Sequence, residues 1–117
     1  MTMGGAVITI PLSDLPDPGA RAFVLENADG TKTGGFVLRI GDVIRAYVNS
    51  CPHTGAPLNW QEDRFLDYTQ TDILCSMHGA RFTPETGFCT IGPCKGKQLT
   101  PLAVEISHGM IHVRPLS

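Results

Sequence analysis

Hydrophobic residues along this chain recur mostly at every second position, which is the period of a β-strand rather than that of a helix. Runs of this kind predict strands at 7–10, 22–26, 35–40, 43–49, 73–74, 102–106 and 110–113. Gaps at 41–42 and 107–109 contain glycine and predict two hairpin turns between neighbouring strands. Only 60–68 could hold a short helix, and 50–58 and 75–96 are predicted to be long loops. The pattern therefore indicates an all-β chain.

The composition is typical of one small globular domain built from short strands. Residues 1–117 include 42% hydrophobic and 17% charged positions, which is enough apolar material for a buried core. The 13 Gly and 9 Pro residues supply turns for many short strands. The net charge of −2 and the scattered Lys and Arg residues form no basic patch, so we expect no nucleic-acid partner. No signal peptide and no membrane-spanning apolar run is apparent, so we expect a cytoplasmic protein without a membrane partner.

Two short motifs, each with one Cys and one His, carry the metal-binding chemistry. They are Cys51-Pro52-His53 and Cys75-Ser76-Met77-His78, and residues 54–74 separate them. Two thiolates and two imidazoles could bind zinc, but zinc fingers pair Cys with Cys and His with His. A [2Fe–2S] cluster accounts for the mixed motifs better, because each of its two irons needs two protein ligands. One Cys and one His from each of two loops can then clamp the cluster between them.

These residues resemble the Rieske family of [2Fe–2S] proteins. The similar segments are Cys51-Pro52-His53-Thr54-Gly55, Cys75-Ser76-Met77-His78-Gly79, Phe82, Thr86-Gly87 and Gly92-Pro93. The resemblance implies a small antiparallel β-sandwich with a loop-built cluster-binding subdomain at one tip. It also implies that the cysteines hold one iron and the histidines hold the other. The implied ligands of the [2Fe–2S] cluster are Cys51, His53, Cys75 and His78.

The chain departs at four positions from the high-potential Rieske proteins of respiratory complexes. Those proteins join their cluster loops by a disulfide, where this chain has Ala56 and Met77. They also place a Ser and a Tyr hydroxyl near the cluster, where this chain has Ala80 and Phe82. Hydrogen bonds to the cluster stabilise its more negative, reduced form, so their loss lowers the reduction potential. We therefore predict a low-potential, ferredoxin-like Rieske protein.

The remaining cysteines and histidines are assigned to no site. Cys89 and Cys94 could form a local disulfide or a second metal site, but a lone pair lacks further metal ligands. We expect both to be small apolar loop residues with reduced thiols. His108 falls in a predicted turn and His112 on the last predicted strand, and neither has a neighbouring Cys. The sequence has no carboxylate pairing of the kind that a hydrolase needs and no Gly-rich phosphate loop after a strand, so no catalytic residue and no small-molecule substrate is predicted.

Three functions are compatible with the sequence. The resemblance favours a one-electron carrier, a ferredoxin that takes electrons from a flavin reductase and passes them to an oxygenase without a catalytic site of its own. The second is a small accessory subunit of a larger reductase similar to assimilatory nitrite reductase, although such relatives often lack the cluster ligands. The third is a zinc-stabilised interaction domain, which would be colourless. We expect the chain not to be the oxygenase itself, since 117 residues cannot also hold a mononuclear iron domain.

Overall fold

The computed structural model describes residues 7–27, 30–50, 58, 65–66, 71–75, 79–92 and 96–114. The strands in these ranges are β1 (Ile8–Pro11), β2 (Gly19–Glu26), β3 (Lys32–Ile40), β4 (Val43–Val48), β5 (Ile73–Leu74), β6 (Arg81–Phe82), β7 (Cys89–Ile91), β8 (Pro101–Leu102), β9 (Val104–Ser107) and β10 (Met110–Val113). A 3₁₀ turn at Leu12–Asp14 is the one helical element of the described residues. Within them, no helix is long and apolar enough to cross a membrane. All strand pairs in these ranges are antiparallel, which confirms the all-β prediction.

A four-stranded sheet with the order β2-β3-β4-β8 forms the centre of the fold. Its long hairpin, β3 and β4, turns at 41–42 as predicted, and Gly41 has a φ of 59° that suits glycine. Positions 35–38 of β3 are all buried, as in a strand that is covered on both faces. Because successive side chains point to opposite faces, Phe36 joins one core cluster and Val37 joins the other. The central sheet therefore separates two cores.

A second sheet, with the order β1-β10-β9, covers one face of the central sheet. Its residues Ile10, Ile111 and Val113 belong to the same buried cluster as Val37 and Ala46 of the central sheet. None of these five side chains is more than 5% exposed. Burial of a Val or Ile side chain contributes about 1.5–3 kcal/mol, so this interface is a main source of stability. These two sheets are the packed layers of the predicted sandwich.

A third sheet, with the order β5-β6-β7, lies on the opposite face of the central sheet. Its residues Phe82 and Cys89 share a buried cluster with Phe36 and Tyr47 of the central sheet. The prediction that 75–96 form one long loop is wrong, since β6 and β7 lie within that segment. Both strands have only two or three residues, which is too short for an alternating pattern to be visible in the sequence. Cross-strand pairing and burial against the central sheet stabilise them instead.

Element boundaries differ from the predicted ones where tertiary pairing determines them. β2 begins earlier than predicted, because Gly19–Arg21 already pair with β3. The predicted strand at 102–106 is divided between β8 and β9, which belong to different sheets. Of the possible helix at 60–68 the structure describes two residues, and one of them, Leu66, forms an antiparallel bridge with Ile73. The helix prediction is therefore wrong at that position.

Candidate metal centre

The second Cys/His motif begins in a tight turn that follows β5. Cys75 comes directly after this strand, as predicted, and is fully buried. Its backbone N–H donates to the Ala80 carbonyl at 2.8 Å, and its own carbonyl accepts from the Gly79 N–H at 3.0 Å. Gly79 has a φ of 71°, a left-handed conformation that glycine adopts without strain. The backbone on both sides of this motif is thus fixed by hydrogen bonds within the chain.

The first Cys/His motif is flanked by two residues that bind each other. The backbone N–H of Leu58, which is fully buried, donates to Asn49 Oδ1 at 2.7 Å. Asn49 is in turn attached to the central sheet, since its N–H donates to the Gly34 carbonyl at 2.8 Å. The sequence reasoning missed this role of Asn49. The signal that could have marked it is a turn-forming side chain at the end of a predicted strand, directly before the motif.

A third segment, which follows β7, approaches the Cys75 turn closely. The base of this segment is closed by the Cys89 N–H, which donates to the Lys97 carbonyl at 2.8 Å. At its start, Gly92 lies against Ala80, so that a Cβ placed on Gly92 would come within 2.8 Å of the Ala80 Cα. Ala80 is the residue whose carbonyl binds the Cys75 N–H. The segment after β7 and the turn that carries Cys75 are therefore direct neighbours.

One of the four predicted ligands, Cys75, falls in the described part of the chain. The other three, which lie outside the described residues, are Cys51, His53 and His78. Cys94 lies outside them too, so the expected reduced state of Cys89 and Cys94 stays a prediction. The complete ligand set is likewise a prediction from the sequence.

The described surroundings of Cys75 fit a thiolate ligand of a [2Fe–2S] cluster. Cys75 belongs to a buried apolar cluster with Ala80, Phe82 and Cys89, and a charged group in such surroundings needs a partner such as a metal ion. Two cysteines and two histidines are the donor set of a Rieske-type cluster. The side chains of Ala80 and Phe82 have no hydroxyl to donate, and both residues are fully buried. The low-potential character stays a prediction from the sequence.

Aromatic side chains support the third sheet and the connection that leads into it. Phe65 stacks on Phe36 with ring centroids 4.2 Å apart, and its carbonyl accepts the Leu74 N–H at 2.9 Å. Phe65 is fully buried, so it packs this connection and offers no docking surface. The Tyr47 hydroxyl donates to the Pro84 carbonyl at 2.7 Å and so joins β4 to the turn between β6 and β7. Burial raises the pKa of Tyr47 to about 12, so the hydroxyl remains a donor at neutral pH.

The other two histidines lie on the far side of the central sheet. His108 is exposed in the turn between β9 and β10, and its Nδ1 is 2.8 Å from the Ser107 hydroxyl. His112 is part of β10, and its Nδ1 is 3.3 Å from the Thr9 hydroxyl. Both belong to the β9–β10 hairpin of the second sheet, which covers the face of the central sheet opposite to the third sheet. Neither is therefore placed to join Cys75 in a metal site.

A protein-family model of the Rieske [2Fe-2S] domain matches residues 8–107 of this chain, a range that contains both Cys/His motifs. The chain is a member of the Rieske [2Fe–2S] domain family. This membership confirms the predicted cofactor, a [2Fe–2S] cluster, and the predicted class of function, an electron carrier. Among proteins of curated function, none matches the chain significantly.

Solved structures similar to this Rieske domain include ferredoxins and an oxygenase. The ferredoxin of carbazole 1,9a-dioxygenase from Nocardioides aromaticivorans IC177 is 26% identical with a TM-score of 0.73, covering 97% of this chain and 99% of that chain. A chain in the complex of reduced oxygenase and oxidized ferredoxin in carbazole 1,9a-dioxygenase is 26% identical with a TM-score of 0.71, covering 92% of each chain. The terminal oxygenase of carbazole 1,9a-dioxygenase from Novosphingobium sp. KA1 is 16% identical with a TM-score of 0.72, and 29% of that chain is covered. This last similarity shows the fold alone.

Proposed function

We propose that this Rieske protein is the ferredoxin of an oxygenase system, which accepts one electron from a flavin reductase and passes it to an oxygenase. The observation that supports this most is the similarity to a dioxygenase ferredoxin over 97% of this chain and 99% of that chain. Another similar chain comes from a complex of an oxygenase with a ferredoxin, which supports an oxygenase as the partner.

The proposed ligands are Cys51 and Cys75 for one iron and His53 and His78 for the other. When bound, the [2Fe–2S] cluster supplies a centre that gains and loses one electron. The chain holds the Cys75 thiolate in place through the backbone hydrogen bond to the Ala80 carbonyl at 2.8 Å. Buried Ala80 and Phe82 pack beside Cys75 without offering a hydroxyl, which favours a low reduction potential.

We further propose that residues 1–117 act as one domain in the cytoplasm and contain no catalytic residue. The central sheet contributes side chains to both buried clusters, which supports a single folding unit. Four cysteines that serve as metal ligands or reduced thiols suit a reducing compartment.

Electron paramagnetic resonance of the reduced, purified protein tests the ligand assignment. We expect a spectrum with the low average g value of a His-ligated [2Fe–2S] cluster, and His53→Ala and His78→Ala should abolish it. The matched variants His108→Ala and His112→Ala should retain the spectrum, because both residues lie in the β9–β10 hairpin of the second sheet. A spectrum that survives in His53→Ala would overturn the assignment. A colourless protein that contains zinc and no sulfide would favour the interaction domain instead.

Reconstitution with redox partners tests the carrier role. Together with NADH, a flavin reductase and a Rieske oxygenase, the protein should support product formation at a rate that rises with its concentration. The His78→Ala variant should give no product in the same mixture. Isolation of the protein in a stable stoichiometric complex with a larger reductase would contradict the carrier role and favour an accessory subunit.

A further inference from the structure

Phe65 connects the strand before Cys75 to the central sheet. Its ring is fully buried and stacks on Phe36, with ring centroids 4.2 Å apart and an angle of 11° between the two rings. Phe36 lies in β3, which pairs with β2 on one side and with β4 on the other, so the ring of Phe65 rests on a strand that is held along both edges. An aromatic pair stabilises a fold beyond the area that it buries. The central sheet therefore sets the position of Phe65.

The backbone of Phe65 holds the residue that precedes Cys75. The Phe65 carbonyl accepts the Leu74 N–H at 2.9 Å, and the next residue, Leu66, forms an antiparallel bridge with Ile73. A residue has a single backbone N–H, so the Leu74 N–H that bonds to Phe65 does not bond to β6, the neighbour of β5 on its other side. β5 has two residues, which is shorter than most strands, so pairing with one neighbour alone stabilises it little. The 65–66 segment therefore supplies a second paired edge for β5.

We propose that Phe65 is a positioning residue for the Cys75 ligand, because its ring, anchored on Phe36, fixes the carbonyl that holds Leu74. This inference rests on the proposed function, and in particular on Cys75 as a ligand. The turn after Cys75 is held separately, since the Cys75 N–H donates to the Ala80 carbonyl at 2.8 Å. Groups that hold a ligand in place determine how firmly a metal centre is retained and how uniform its geometry is. Without the stack, β5 separates more often from the 65–66 segment, and this local opening exposes the ligand turn to solvent.

Phe65→Leu removes the stack but keeps an apolar side chain, and Leu25→Ala is its control. Leu25 is also fully buried, but it belongs to the cluster on the opposite face of the central sheet. Leu25→Ala deletes more buried volume than Phe65→Leu does, so it should lower the melting temperature by at least as much. If Phe65 contributed to stability alone, the control would therefore have the same effect on the cluster.

The measurements, on purified holoproteins well below their melting temperatures, are the rate of iron transfer to an excess of chelator and the line width of the electron paramagnetic resonance spectrum after reduction. We expect Phe65→Leu to lose iron about threefold to tenfold faster than the wild type and to have broader lines, because Cys75 is held less uniformly. Leu25→Ala should keep the wild-type rate and lines. Wild-type values in Phe65→Leu, or equally fast iron loss in Leu25→Ala, would overturn the proposal.

Phe36→Leu removes the other half of the same stack and supplies a second measurement. It should also accelerate iron loss, and the double variant should lose iron no faster than the faster of the two single variants, because the stack is lost only once. Rate increases that multiply in the double variant would overturn the proposal. If Phe65→Leu does not fold, Phe65→Met, whose flexible side chain fills irregular gaps, allows the same comparison. A wild-type protein without a [2Fe–2S] cluster would instead overturn the proposed function, so the two failures can be told apart.

Discussion

The Tyr47 hydroxyl joins the central sheet to the third sheet, and Tyr47→Phe removes only that oxygen atom. The hydroxyl donates to the Pro84 carbonyl at 2.7 Å, and both residues are buried. The substitution leaves this carbonyl without its donor, which costs about 1–2 kcal/mol of unfolding free energy. The ring keeps its contact with Phe36, whose centroid is 5.9 Å away, so no large cavity forms. For a domain of this size, such a loss lowers the melting temperature by about 4–8 °C.

The pH dependence of stability supplies an independent signature of the same hydroxyl. Burial raises the pKa of Tyr47 from 10.0 to about 12 in the folded protein, and the Arg45 charge partly opposes this effect. Between these two values the unfolded chain loses the tyrosine proton before the folded protein does, so stability falls as pH rises. A shift of two pKa units sets the size of this loss at about 2–3 kcal/mol over this pH range. Tyr47→Phe lacks this loss, so its difference from the wild type shrinks above about pH 10.

Thermal melts of the holoproteins, followed by circular dichroism at one scan rate, test both statements. Thr9→Val is the control, because it removes an exposed hydroxyl 3.3 Å from His112 Nδ1 and should change stability by less than about 0.5 kcal/mol. A Tyr47→Phe variant that melts at the wild-type temperature near neutral pH would refute the stabilising hydrogen bond from the Tyr47 hydroxyl to the Pro84 carbonyl. A difference between wild type and Tyr47→Phe that stays constant up to about pH 12 would refute the raised pKa of Tyr47.

Three further predictions concern packing, potential and the flank of the first motif. Gly87→Ala should destabilise by about 1–3 kcal/mol more than Gly109→Ala in thermal melts. The two glycines have nearly the same positive φ, 77° for Gly87 and 75° for Gly109, so the backbone strain is matched. A Cβ on Gly87 would lie 2.8 Å from the Tyr47 ring, whereas a Cβ on Gly109 has no described atom within 4 Å. Ala80→Ser should raise the midpoint potential by about 40 mV, which corresponds to a hydroxyl that stabilises the reduced cluster by about 1 kcal/mol more than the oxidised one. An unchanged potential would contradict the explanation that the missing hydroxyl at position 80 lowers the potential. Asn49→Ala removes the oxygen that accepts the Leu58 N–H and should lower the unfolding free energy, measured by urea unfolding, by about 1–2 kcal/mol. Asn49→Asp keeps an oxygen that can accept this hydrogen bond, so its unfolding free energy should fall by less.

Local patterns in the sequence were sufficient for the features that depend on neighbouring residues. The hairpin at 41–42 follows from glycine between two apolar runs, and the structure has the turn at that place. The Cys and His residues of both motifs indicate the donor set by their chemical identity, and the family match confirms the cofactor that they imply. The position of Cys75 directly after a strand also follows from the apolar pair at 73–74.

The tertiary structure decided the features that join residues distant in the chain. Strands β6 and β7 are too short to show a period and form because Phe82 and Cys89 are buried against the central sheet. The contact between Gly92 and Ala80 and the bond between Asn49 and Leu58 need the two partners to be brought together first. Side-chain type along a chain determines local backbone preference and ligand chemistry, whereas burial and close approach depend on which surfaces the sheets present to one another.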